Sequence, residues 1–131
     1  MIAMEMDEED MLATASITIT EIKAVVCLHF GIHGSQLVSP DRHKMVALAR
    51  HLVVYFAKRA TDLSYPEIGR ELGGRDHTTA MSSNAKIRAA LSEGPTSRIE
   101  MRARERIRTH VRELEKDLLS RFVRIRVSED T

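Results

Sequence analysis

The sequence has few cysteines and few aromatic residues. Its 131 residues include one cysteine, two tyrosines, three phenylalanines and no tryptophan. The single Cys27 excludes an internal disulfide and favours a reducing, intracellular setting. With His29 and His33 it gives only three candidate metal ligands, so packing is the favoured interpretation. We therefore predict no metal and no cofactor.

Long apolar runs are also absent. None approaches the ~20 residues that cross a bilayer, and the acidic first ten residues do not resemble a signal peptide. We therefore predict a cytoplasmic protein with no membrane partner. A Gly-x4-Gly-Lys-Ser/Thr phosphate-binding loop is missing as well, which predicts no ATPase activity.

Charge is spread unevenly along the chain. The formal net charge is only +1, but residues 1–15 hold five acidic residues and no basic one. Residues 40–88 hold nine Lys or Arg against five Asp or Glu. We expect a disordered acidic segment over 1–15 and a basic central region suited to nucleic acid.

Apolar residues recur with helical spacing in almost every segment, which predicts an all-α fold. A Thr18/Glu21 capping box predicts a first helix over about 20–30, and Ser39-Pro40 predicts the start of a second. We place one domain at 16–93, a long charged helix within 94–126 and a tail at 127–131. The second helix is predicted to have its apolar stripe at Met45, Leu48, Ala49, Leu52, Tyr55 and Phe56. Its basic residues are predicted to lie off that stripe: Arg42, Lys44, Arg50, Lys58 and Arg59.

The best-specified segment is a pair of helices with a glycine break between them. Ser64 and Glu67 form a capping box, and Gly73 is the expected left-handed residue after the third helix. Asp76 is a typical N-cap for a fourth helix. This pattern is typical of a helix-turn-helix, whose second helix enters the DNA major groove. The inner face of the fourth helix is predicted at Ala80, Met81, Asn84, Ile87 and Leu91.

The final helix allows two interpretations. Its apolar residues, spaced three and four apart, either pack on the domain or pair with a second copy as a short coiled coil. Its arginines at 102, 104, 106 and 108 either contact phosphates or form a solvated face, and the interspersed acids favour the second. The apolar positions are Ala103, Ile107, Val111, Leu114, Leu118, Phe122 and Ile125.

Residues 61–79, ending in Gly-Gly-Arg-Asp-His-Thr-Thr, closely resemble the C-terminal DNA-binding domain of the bacterial replication initiator DnaA. The resemblance extends more loosely over about seventy residues, from Ile17 to Ile87. It implies a Trp repressor-like helix-turn-helix bundle that binds duplex DNA at DnaA boxes, here as a stand-alone protein. It assigns base reading to Asp76, His77, Thr78 and Thr79. It assigns backbone or minor-groove contacts to Lys44, Arg50, His51, Tyr65, Pro66, Arg75, Ser82 and Lys86.

The chain departs from the family's pattern in its basic loop. The segment Leu37–Lys44 is less basic than is usual and contains Asp41, so we expect fewer phosphate contacts and a shallower salt dependence. Lys44 stands where the family has an arginine for the minor groove. Arg50 is expected to contact the DNA backbone, so that replacing it weakens all duplexes alike.

Three functions are compatible with the sequence to different degrees. The first is sequence-specific DNA binding that modulates replication initiation or transcription. The second is an interaction module in which the last helix and the acidic start recruit a partner, such as a replication protein or a second copy, with weak or accessory DNA binding. An enzyme is disfavoured because Asp76, His77 and Thr78 are consecutive and diverge around a helix.

Overall fold

The structure is a computed structural model that describes residue 12, residues 16–92, residue 94 and residues 96–129, with side chains described up to residue 121. Within these residues every regular element is a helix, which confirms the predicted all-α class. The helices are α1 (Ile19–Phe30), α2 (Gly34–Leu37), α3 (Lys44–Ala60), α4 (Tyr65–Glu71), α5 (His77–Leu91) and α6 (Arg98–Glu129).

Helix α3 lies at the centre of the core. It packs against α1 on one side and α5 on the other, and α4 packs against α5. The Thr18/Glu21 capping box starts α1 as predicted, with each backbone N–H donating to the other residue's side chain (3.2 and 2.9 Å). The largest fully buried side chains include Phe56, Leu52, Ile22, Ile68, Leu72 and Ile87.

The predicted start of the second helix at Ser39-Pro40 is wrong. The chain first forms the short α2, which sequence spacing did not predict, and α3 begins only at Lys44. The Ser39 hydroxyl donates to the Gln36 carbonyl (2.8 Å) and accepts from the Asp41 N–H (3.1 Å). Ser39 therefore closes a turn instead of capping a helix.

Four side chains lie on the opposite side from their prediction, among them Arg50, which is buried and is described with the interface below. Met45 and Met81 are 50% and 49% exposed, although both were predicted to face the core. Arg59 is buried, although it was predicted to lie off the apolar stripe. Its guanidinium donates to the Glu115 carboxylate at 2.6 Å, which ties α3 to α6 and gives the buried charge a partner.

Helix α6 packs on α1 and α5 and closes the domain. Val111, Leu114 and Leu118 are buried in the common core, as the packing interpretation predicted. Ala103 is exposed, and the predicted positions Phe122 and Ile125 fall outside the described side chains. The helix continues to Glu129, into the segment predicted to be a tail.

A histidine pair joins α6 to α1. His29 Nε2 and His110 Nδ1 are 2.9 Å apart, and Phe30 packs beside His110. Burial, and then the nearby His29, lower the pKa of His110 below its usual range. His110 is therefore neutral at pH 7 and serves as a packing residue in this contact. Of the predicted acidic segment 1–15, the structure describes only Leu12, which is buried in the core.

The helix-turn-helix geometry depends on two glycines with positive φ. Gly73 has φ +85 and Gly74 has φ +80, as a left-handed turn after α4 requires. A Cβ on Gly73 would lie 2.2 Å from the Val38 carbonyl oxygen, whereas a Cβ on Gly74 would meet open space. Only glycine, which has no Cβ, therefore permits the close backbone contact at position 73.

This difference gives a matched pair of variants. Gly74→Ala should cost about 1–2 kcal/mol, because only the left-handed conformation is penalised. Gly73→Ala adds a backbone clash and should cost about 3 kcal/mol or more. Urea unfolding followed by circular dichroism measures both. Equal losses for the two variants would contradict the close contact at Gly73.

Candidate nucleic-acid interface

The start of α5 places three polar side chains on the surface. Asp76 is the N-cap, and its carboxylate accepts from the Thr79 N–H at 2.9 Å. His77, Thr78 and Thr79 follow in the first turn, and all three residues are exposed. The structure thus brings all four predicted base-reading residues to one exposed helix end, where free N–H groups and the helix dipole favour anions.

Asp76 caps α5, as its position predicted, in addition to the base reading that the resemblance assigned to it. The hydrogen bonds from the backbone and side chain of Thr79 lower the pKa of the Asp76 carboxyl. The residue therefore stays ionised at neutral pH while it caps α5. A base contact by Asp76 has to coexist with this cap.

Several of the residues predicted to contact the DNA backbone or minor groove, called anchors below, line a cleft beside this helix end. The cleft has a volume of about 540 Å³ and lies between the α2–α3 loop, α3 and the α4–α5 turn. Its walls include Arg50, His51, Arg75 and Thr79 from the predicted set. They also include Arg42, an exposed loop cation that the sequence-based site omitted. The positive charge of residues 40–88 was the available signal for Arg42.

His51 is engaged inside the protein. Its Nδ1 lies 2.8 Å from the Ser83 hydroxyl in a hydrogen bond that joins α3 to α5. Burial is the main cause that lowers the pKa of His51, followed by the positive charges of Lys86 and Arg50. A neutral His51 offers no charge to a phosphate, so its predicted role as a DNA anchor loses its electrostatic basis.

Arg50 does not have the exposed guanidinium that a DNA backbone contact needs. The residue is only 7% exposed. Its guanidinium donates to four carbonyl oxygens at 2.6–3.0 Å, those of Gln36, Leu37, Ser39 and Asp41. Four of its five N–H donors are thereby used. Arg50 therefore holds the chain before α3, a long-range role that could not be read from its spacing, and its predicted contact with the DNA backbone stays a prediction.

Arg75 and Tyr65 are also partly occupied. The Arg75 guanidinium donates to the carbonyls of Leu72 and Ser39. The Tyr65 hydroxyl accepts from the Asn84 side chain at 2.9 Å and thereby joins α4 to α5. Both residues are half-buried at the surface, so an internal role and a DNA contact are compatible for each.

The other predicted anchors are exposed. Lys44 is the first residue of α3, Pro66 lies in the first turn of α4, and Ser82 and Lys86 are one turn apart on α5. Lys58, which was not among the predicted site residues, has its ammonium 4.5 Å from the centre of the Tyr65 ring. Because this is a tertiary contact, local spacing carried no signal for it.

The paired helices and the exposed polar end of α5 define a helix-turn-helix DNA-binding domain. Residues 19–87 match the family described as "Bacterial dnaA protein helix-turn-helix", and the chain belongs to this family.

Curated relatives agree with this assignment. The chain is 43% identical over 77 residues to the chromosomal replication initiator protein DnaA of Sphingopyxis alaskensis, which covers 59% of the chain and 17% of that protein. It is 45% identical over 71 residues to DnaA of Cereibacter sphaeroides, covering 54% of the chain and 16% of the relative. For DnaA of Agrobacterium fabrum the identity is 38% over 76 residues, covering 58% and 16%. The match thus spans about one-sixth of the length of these relatives.

In the part of the chain that the structure describes, no helix combines the length and apolar character that crossing a membrane requires.

Two substitutions distinguish the capping hydrogen bond of Asp76 from the effect of its negative charge. Asp76→Ala removes the bond to the Thr79 N–H and should lower the urea midpoint of unfolding. Asp76→Asn keeps a capping oxygen without the charge and should retain the wild-type midpoint, because Asn caps about as well as Asp. Urea titration at neutral pH compares them. Equal loss of stability in both variants would show that the charge, and not the cap bond, supports α5.

Proposed function

We propose that the chain binds double-stranded DNA sequence-specifically at DnaA-box-like sites. By occupying these sites it modulates replication initiation or transcription. Recognition is the whole of this role, which needs no nucleotide hydrolysis and no catalytic residue. Its target would place the protein in the cytoplasm, at the nucleoid.

The observation that carries the proposal is the exposed start of α5. Exposed His77, Thr78 and Thr79 follow an N-cap, on a helix that packs against α3 and α4 from behind. Imidazole and hydroxyl groups hydrogen-bond base edges, and a threonine methyl packs on the thymine methyl. A rigid helix end with this composition suits the major groove.

Cations on both sides of the start of α5 are placed to contact the DNA backbone. Lys86 is exposed about two turns further along α5, and Arg42 and Lys44 are exposed at the loop before α3. Each phosphate contact adds about 0.9 to the slope of log affinity against log salt. With Arg50 and His51 engaged internally, we expect a small set of contacts and a shallow slope.

A protein-contact role for α6 is the second candidate. Ile99 and Met101 at its start are 82% and 55% exposed, which leaves apolar surface for a second copy or a replication protein. This role and DNA binding are compatible, but only DNA binding uses the polar start of α5.

Fluorescence anisotropy with a DnaA-box duplex and a scrambled duplex of the same composition tests the proposal. We expect the box to be bound at least about 10-fold more tightly at physiological salt, a threshold well below the ~10³-fold or greater preference that is typical of specific sites. Equal affinity for both duplexes would refute specific recognition and favour the second candidate.

Variants of the base-reading residues (reader variants) and of a predicted phosphate contact (anchor variant) extend the same experiment. His77→Ala and Thr78→Ala should each cost ~1–3 kcal/mol on the box and much less on the scrambled duplex, because base contacts are lost. Lys86→Ala is the control, since loss of a phosphate contact weakens both duplexes alike and lowers the salt slope. If reader and anchor variants behave identically, α5 does not read bases.

A further inference from the structure

Two arginines from different parts of the fold converge on one backbone oxygen. The Ser39 carbonyl accepts from Arg50 Nη2 at 2.7 Å and from Arg75 Nη2 at 2.8 Å. Arg50 belongs to α3, and Arg75 to the turn before α5. The acceptor belongs to the α2–α3 loop, residues 38–43. One carbonyl therefore links this loop both to α3 and to the α4–α5 turn of the helix-turn-helix.

Arg50 holds the loop at further points. Its Nη1 donates to the Asp41 carbonyl at 2.6 Å, and its Nε donates to the Leu37 carbonyl at 2.8 Å. Burial of a guanidinium is costly unless its donors are satisfied, and here neutral carbonyl oxygens satisfy them. The planar fork of arginine fits this arrangement, and a lysine ammonium with three donors does not.

The loop held in this way carries cations toward the proposed DNA surface. Arg42 lies within it and Lys44 directly follows it, and both are exposed. On the other side of the cleft the same turn that contains Arg75 leads into His77 and Thr78. The distance between loop cations and base-reading residues thus depends on the contacts at Ser39.

We propose that Arg50 and Arg75 are positioning residues, which clamp the α2–α3 loop so that Arg42 and Lys44 meet DNA as a preorganised contact. The proposal rests on the proposed function of DNA binding. Arg50 acts on affinity through the loop and does not itself touch a phosphate. Preorganisation of this kind lowers the entropic cost of ordering a loop on binding.

Arg50→Lys tests the clamp because it keeps the charge and removes the fork. If Arg50 acts through the loop, ordering the loosened loop costs more than two exposed phosphate contacts return, so Arg42 and Lys44 no longer contact phosphates. The variant should then lose most of the salt slope that these two residues provide, about 1.8 for two contacts. In the Arg50→Lys background, the further double change Arg42→Ala with Lys44→Ala should then alter the slope by less than about 0.5. Anisotropy titrations at several salt concentrations measure these slopes.

The opposite pattern overturns the proposal. Were Arg50 a direct phosphate contact, Arg50→Lys would keep the wild-type salt slope. The double change Arg42→Ala with Lys44→Ala would then reduce the slope equally in the wild-type and Arg50→Lys proteins. A matched control removes two exposed arginines from α6, Arg102→Ala with Arg106→Ala. It should produce the same change in slope in both backgrounds, because α6 is not held by the clamp.

Hydrogen exchange on the free protein gives a readout that does not depend on DNA. The amides of Ser39, Asp41 and His43 donate within the loop and its flanks. They should exchange faster in Arg50→Lys, while the amides within α5 keep their protection. Unchanged exchange at these three amides refutes the clamp. Equal wild-type affinity for box and scrambled duplexes refutes only the specificity of binding.

Arg75→Lys provides a second variant if Arg50→Lys does not fold. It removes one contact to the Ser39 carbonyl from a half-buried position and leaves the four carbonyl contacts of Arg50 in place. We expect a smaller fall in salt slope and faster exchange at Ser39 and Asp41. Wild-type slope and exchange in a folded Arg75→Lys protein would remove Arg75 from the clamp.

Discussion

The close approach of backbones at the α4–α5 turn is the constraint on which the rest of the interface depends. A Cβ on Gly69 would lie 2.0 Å from the Arg75 carbonyl oxygen, and one on Gly73 would lie 2.2 Å from that of Val38. Side-chain-free positions thus let helix α4, the turn and the α2–α3 loop touch through their main chains. The direction of α5 and the place of the loop both follow from these two contacts.

The parts of the fold that sequence predicted are those governed by local rules. The Thr18 and Ser64 capping boxes and the Asp76 cap all form, because each needs only a partner three residues away. Arg59 and Arg50 could not be placed in this way. The carboxylate that pairs with Arg59 is 56 residues distant, and the carbonyls that hold Arg50 are exposed to it only once the loop has folded.

The candidate site also has one part that follows local rules and one part that depends on tertiary contacts. The residues predicted to read bases form a continuous segment at a helix start, so their exposure followed from the cap and the helical repeat. Its anchoring half is assembled from three elements, and residues such as His51 turned inward to partners that only the tertiary fold supplies. A nearly neutral chain still presents a basic cleft, because its acidic residues are concentrated in other segments. Local placement of charge, and not net charge, suits the domain to DNA.

The central claim is that α5 and the neighbouring loop form the DNA-binding surface. Amide NMR of the isotope-labelled protein titrated with a DnaA-box duplex tests it most directly. The account predicts that chemical-shift changes concentrate at residues 76–79 and 41–44, with little change at Val111, Leu114 and Leu118 in the core. Changes along α6 with residues 76–79 unaffected would contradict it.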